Sequence, residues 1–233
     1  MKSNVTVKGI LIQVLDALAP MHCCICSDRI ASQSIIHRIC DSCYFLFSPA
    51  PSRDVILNSL FRKKKESSIY YADSAFEFHH AGSIQVALHE MKYRFGKQMA
   101  FDFGKEMGKN IMIPEIDIIT PIPLHHARKR ERGFNQSLEI AKGYAMPTSL
   151  KVHDCIKRLH YTTTQTKLTI EDRKHNVSNA FALKDTINIR NKHVLLIDDV
   201  LTTGATLESC AELLLEHGAR RVSALTIATA RLN

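Results

Sequence analysis

The chain has 233 residues, enough for one core of ordinary size plus a small accessory module and too few for two large domains. An apolar fraction of 45% with 23% charged residues excludes the disordered and fibrous classes, and no stretch reaches the run of about 18 apolar residues that a membrane span requires, so no membrane insertion is expected. Lysine and arginine number 31 against 23 acidic residues, a net charge of +8 that suits polyanionic or phosphorylated partners only where the positive residues cluster.

In chain order, Val7, Ile10, Leu11, Val14, Leu15 and Leu18 follow helical spacing and predict an amphipathic helix ended by Pro20. Ala17-Leu18-Ala19 resembles a signal-peptide cleavage site, but Gln13 and Asp16 interrupt the apolar stretch, and a cytoplasmic protein is expected. Next come Cys23-x2-Cys26 and Cys40-x2-Cys43, a four-thiolate set of the zinc-ribbon or zinc-knuckle kind. Each pair fits a tight turn, and four sulfur ligands predict a closed structural Zn2+ site without catalysis. Cys24 adjoins the set without completing its spacing, His22 and His37 are possible substitute ligands, and Cys155 and Cys210 are expected to pack as small apolar side chains. "SPAPSRDV" (48–55) reads as a linker and the basic "FRKKK" follows it, so residues 1–60 are expected to form the cysteine module and 61–233 a larger domain.

That domain starts with the strand-like "SIYYADSAF", followed by helical spacing through Ile84, Ala87, Leu88 and Met91, a break near Gly96, then Met99, Ala100 and Phe103. "IDIITPIPL" (116–124) is a short buried-type strand, and "FNQSLEIAKGYA" resumes helix period with Phe134, Leu138, Ala141 and Ala145. The polar "LHYTTTQTKLTIEDRKHNVSNAFALKD" predicts a long loop or an irregular hairpin, and so long a loop in a compact domain suggests an active-site lid. The last third alternates "HVLLIDD", a helix closed at Gly218, and "RVSALTIAT". Continuous apolar runs in the strands predict burial on both faces, hence an α/β fold with a mostly parallel sheet flanked by helices.

In such a sheet ligands bind beyond the carboxyl ends of the strands, where Asp198, Asp199 and the loop Thr202, Thr203, Gly204, Ala205, Thr206 are expected to lie. The hydroxyls, the backbone opened by Gly204 and the N–H groups of the next helix suit a phosphate, while two carboxylates suit sugar hydroxyls or a divalent cation. A phosphorylated ribose with a magnesium-bound leaving group meets both demands. A second loop, "PIPLHHARKRERGFNQS" (121–137), packs Arg128, Lys129, Arg130 and Arg132 between a strand and a helix, with Gly133 open to close backbone approach. Phosphate binding is the expectation there, although composition alone does not separate it from a solvated face or a nucleic-acid contact.

"VLLIDDVLTTGAT" resembles, position for position, the 5-phosphoribosyl-1-pyrophosphate (PRPP) motif of type I phosphoribosyltransferases. With "RGFNQ", "TTTQTKL", "RKHNVSNAF", "MKYRFGKQMA" and "APMHCCIC", the chain looks like the ComF (competence protein F) family. The resemblance implies a type I phosphoribosyltransferase fold behind an N-terminal zinc finger, PRPP bound with Mg2+, Asp198 and Asp199 on the ribose hydroxyls, and residues 202–206 around the 5′-phosphate. It also implies pyrophosphate against Arg128, Arg132 and Gly133, and Lys167 and Arg173 in a covering loop with Gln165 and Asn176. DNA uptake, contact with single-stranded DNA and association with the uptake machinery belong to the same implication. It leaves open whether a pentosyl transfer turns over and to which acceptor. The rival expectation is a PRPP-responsive, non-catalytic DNA-binding protein, and a salvage enzyme acting on a nucleobase or amine is the weaker one.

Overall fold

The computed structural model describes residues 20–30, 34–61, 67–93, 96–159, 180–184 and 188–230. The expected N-terminal helix, most of the basic run, Lys167 and Arg173 lie outside the described residues. The elements are α1 (Asp41–Phe45), α2 (Arg53–Phe61), β1 (Tyr71–Phe78), α3 (Ser83–Tyr93), α4 (Gly96–Asn110), β2 (Ile118–Pro121), α5 (His126–Arg132), α6 (Gln136–Thr148), β3 (Ile156–Arg158), β4 (Phe181–Leu183), β5 (His193–Leu201), α7 (Ala205–Glu216) and β6 (Arg221–Ala230).

Four strands form a wholly parallel sheet in the order β1-β6-β5-β2, and β3 pairs antiparallel with β4 as a separate ribbon. The apolar runs explain the first sheet, because alternate side chains of one strand feed two cores. Leu195 and Ile197 face a core with α3, α4 and α6, while Val194 and Leu196 face another with α2, α7 and Ile156 and Phe181 of the ribbon. Helices therefore cover both faces of the sheet. The buried residues of α3 and α4 include Ile84, Ala87, Leu88 and Met91, then Met99, Ala100 and Phe103, as their spacing predicts.

Three readings of the sequence change. First, "SPAPSRDV" is no free linker: Ala50 N–H donates to Ala75 O at 3.2 Å and Glu77 N–H to Ser48 O at 2.9 Å, so this segment lies along the outer edge of β1. Proline lacks an N–H and suits an edge, and the chain enters α2 directly at Arg53. Second, the basic loop after β2 contains a helix, α5, whose first turn is capped by His125 Nδ1 accepting from Ala127 N–H at 3.2 Å. Third, the buried stripe of α6 runs through Ser137, Ile140, Ala141 and Tyr144, leaving Leu138 and Ala145 half-buried. Among the described residues no helix is long and apolar enough to cross a membrane.

Candidate ligand site and metal centre

Where β2 stops, β5 continues. Pro121 pairs with Ile197, and Ile122 N–H then donates to Ile197 O at 2.9 Å, after which β2 offers β5 no further partner. Asp198 and Asp199 are thus not at the exit of the strand, as their place after an apolar run suggests. They lie inside it, β5 running on to Leu201 because β6 still pairs with Val200 and Leu201 on its other side. The first turn of α6 closes on the exposed edge, where Ser137 Oγ donates to Asp198 Oδ1 at 2.8 Å. Asp199 N–H donates to the same oxygen at 2.9 Å, and Lys92 Nζ lies 3.5 Å from Asp199 Oδ2. Burial, and then the neighbouring Asp199 charge, push the Asp198 carboxyl up to about 7 against the lowering effect of Ser137, the Asp199 N–H and Lys92.

The acids border a cavity of about 160 Å³. Ile122, Pro123 and Leu124 form its floor, Arg132, Asn135, Gln136 and Ser137 come from the end of α5 and the start of α6, Arg158 comes from β3, and Thr206 from α7. Arg132 Nε and Gln136 Nε2 are buried with no hydrogen-bond partner among the described residues, so two donors line a space whose other wall is anionic. A smaller depression of about 40 Å³ follows the backbone from Val200 to Leu207 and shares Asp198 and Thr206 with the first. The first turn of α7 turns its N–H groups to this end, as an anion site requires.

The structure thus gathers Asp198, Asp199, Thr206 and Arg132 around one space, with Thr202, Thr203, Gly204 and Ala205 around the adjoining depression. Arg128 does not line the cavity, and its Nη1 lies 3.4 Å from Glu131 Oε2. Gly133 caps α5 with a left-handed φ of 79°. Gly204 also has a positive φ, 74°, but the space it leaves is taken: a Cβ there would run into Leu60 Cδ2 of α2. The missing side chain makes room for the protein's own leucine, which seats the loop on α2, and not simply for an anion. Ser137, Gln136, Lys92 and Arg158 are site residues that the motifs do not single out. Gln136 and Ser137 end the quoted loop 121–137 at a helix start, a readable position. Lys92, next to buried Met91, lies in the "MKYRFGKQMA" stretch that carries part of the resemblance, but nothing local assigns the lysine a role.

At the other end of the chain, Cys23, Cys26, Cys40 and Cys43 bring their sulfurs within 4.8 Å of one another, and could hold a metal ion. Cys26 Sγ and Cys40 Sγ are 3.7 Å apart. Burial raises the Cys23 thiol, but N–H donors, with Ile25 N at 3.5 Å and Cys40 N at 3.4 Å, outweigh it and hold it at about 6. Cys24 stays outside the set, and burial pushes its thiol up to about 11. Tight turns at both pairs bring the ligands together: Ser27 N–H donates to Cys23 O at 3.0 Å and Tyr44 N–H to Cys40 O at 3.0 Å. Cys155 and Cys210 are buried core residues, as expected.

Residues 135–231 match the model of the phosphoribosyl transferase domain. Competence protein F of Haemophilus influenzae is 34% identical over 125 residues, 52% of this chain and 52% of that protein. DNA utilization protein YhgH of Escherichia coli K12 is 37% identical over 111 residues, 46% of each chain, and competence protein ComFC of Bacillus subtilis is 28% identical over 203 residues, 82% of this chain and 72% of that protein. The matched segments span about half the length of the first two relatives. With a parallel sheet flanked by helices and a four-cysteine cluster ahead of it, the chain is similar to competence protein F, YhgH and ComFC, and its residues 135–231 match the phosphoribosyl transferase domain.

Proposed function

We propose that this protein is a PRPP- and Mg2+-binding phosphoribosyltransferase-like protein of the ComF type, linked to DNA uptake, with a zinc-bearing module up to about residue 60 and the PRPP domain after it. One observation carries the reading: the cavity sets two carboxylates, an arginine with a buried Nε and the start of α7 around a single space. A ribose phosphate has the complementary pattern. Its vicinal hydroxyls donate to Asp198 and Asp199, its 5′-phosphate accepts from the N–H groups and hydroxyls of residues 202–206, and its pyrophosphate meets Arg132.

Mg2+ fits this site as a ligand-borne ion. It commonly takes one or two carboxylates plus substrate phosphates, and among the described residues the four cysteines are the one group of three or more metal-type side chains close enough to chelate. Bound with PRPP, it supplies charge neutralisation to the departing pyrophosphate. The residues of the chain do the remainder: the carboxylates fix the sugar, Arg132 receives the developing charge, and the cavity holds C1 of the ribose open to a nucleophile through an oxocarbenium-like transition state. At the cysteine cluster the closed all-sulfur donor set favours Zn2+ in a structural role.

A second reading draws on the relatives named DNA utilization protein and on the net charge of +8: the same site retained as a PRPP-responsive switch of a single-stranded-DNA-binding protein. Incubating the metal-loaded protein with PRPP and Mg2+, with and without nucleobases and single-stranded DNA, tests both. Pyrophosphate release that disappears in the Asp198→Asn, Asp199→Asn variant supports the enzyme. PRPP binding without release, accompanied by salt-sensitive DNA retention, supports the switch. A folded protein that binds no PRPP refutes both.

A further inference from the structure

The carboxylate oxygens of the acid pair are not equivalent. Asp198 Oδ1 accepts from Ser137 Oγ at 2.8 Å and from Asp199 N–H at 2.9 Å, and Asp199 Oδ1 accepts from Val200 N–H at 2.8 Å. The chain thus uses the Oδ1 atom of each acid. Asp199 Oδ2 meets Lys92 Nζ at 3.5 Å, a contact loose enough to be shared with an incoming hydroxyl.

Lys92 reaches this place from a rigid support. It lies in the last turn of α3, beside Met91, which is 0% exposed, so its ammonium is tethered to the core and not carried on a loop. Its side chain is 28% exposed and that of Asp199 19%, which makes this pair far less screened than a surface ion pair. The neighbouring Tyr93 lies under the guanidinium of Arg132, 6.0 Å from the ring centroid. One helical turn therefore touches both the anionic and the cationic wall of the cavity. It precedes the residues, 135–231, that match the domain model.

We propose that Lys92 is a positioning residue for the acid pair: its ammonium, held against Asp199 Oδ2, keeps that carboxylate turned into the cavity beside Asp198, so that the Oδ2 atoms of the pair face the vicinal hydroxyls of a ribose. The proposal rests on the ribose phosphate reading of the site. Without this cation the Asp199 carboxylate loses the contact that holds its Oδ2 in place, and the neighbouring Asp198 favours its turning away. Lysine suits the task better than a forked donor because a compact ammonium yields one oxygen without a fixed geometry.

Calorimetric titration of the full-length, metal-loaded protein with ribose 5-phosphate and separately with magnesium pyrophosphate tests this. Lys92→Met weakens ribose 5-phosphate by about ten-fold or more and pyrophosphate by less than about two-fold, while Lys92→Arg stays within about three-fold of the wild type. In an Asp199→Asn background the same Lys92→Met change costs less than about two-fold, because its target is gone. Equal losses in both backgrounds, or pyrophosphate lost alongside the sugar phosphate, overturn the role of Lys92. Lys92→Gln replaces the methionine variant if that chain does not fold. A wild type that binds no ribose 5-phosphate or PRPP overturns the reading beneath it, whereas wild-type binding unaltered by Lys92→Met overturns the positioning role alone.

Discussion

Asp198 shows what the proposed ligand site costs in stability. Its carboxyl, held up to about 7 by burial and by Asp199, keeps its proton below that pH in the folded chain, while the same group in the unfolded chain ionises near its ordinary value of 3.8. Between those two values the unfolded state binds fewer protons, so this group's contribution falls as pH rises through the window and is flat above it. Asp198→Asn keeps an acceptor for Ser137 and removes the charge. It should raise stability by about 1 to 3 kcal/mol at pH 8 and by clearly less at pH 5.5, read from urea midpoints, while PRPP binding is lost. The two arginines are separable in the same way. Arg132 lines the cavity with a buried Nε, whereas Arg128 faces Glu131, so Arg132→Met should weaken PRPP binding by about ten-fold or more and Arg128→Met by less than about three-fold, in parallel titrations.

Among the elements, α2 contributes more than its place in the sequence suggests. Its Leu60 sits under Gly204, and just beyond it Ser68 N–H donates to Glu208 Oε2 at 3.0 Å in the first turn of α7. Gly204→Ala adds a methyl against Leu60 at a positive φ and should cost about 2 to 4 kcal/mol. Leu60→Ala alone should cost about 2 to 4 kcal/mol through the cavity it leaves, but the double variant should lose markedly less than the sum, since the second change clears space for the first. Urea denaturation of the three chains checks it. This contact also marks what the sequence conveys about elements. The strands of the sheet and the buried faces of α3 and α4 were legible because apolar periodicity directly encodes burial. The seat of the 202–206 loop was not, because Leu60 and Gly204 are far apart in the chain and only tertiary packing joins them. The same holds for Lys92 and Asp199, whereas Asp198, Asp199 and the threonines were legible because one ligand explains consecutive residues. α5 was hidden by charge: "HARKRER" has helix-forming residues but no apolar stripe to betray a helix, and none of its residues is buried.

For the whole molecule, composition separates the cysteine module from the rest, while packing joins them. Ile36, Ile39 and Phe47 share one core with Met99, Phe103, Leu225 and Ile227, Phe47 and Phe76 meet with ring centroids 5.1 Å apart, and His37 N–H donates to Asp102 Oδ2 of α4 at 2.9 Å. Removing the metal should therefore do more than loosen residues 20–45. Cys23→Ser with Cys26→Ser, or chelation, should lower hydrogen-exchange protection in α4 and β6 as well, and unchanged protection there would show that the module melts alone. The joined core carries a further consequence. When a ligand binds only the folded form and that form is one cooperative unit, the concentration of free ligand becomes a coordinate of folding for all of it, at about 1.4 kcal/mol for each tenfold change once the site is near saturation. The distant sheet that presents Asp198 and Asp199 would then draw part of its rigidity from the level of the free metal ion that suits the cysteine cluster, without any contact between the ion and that sheet.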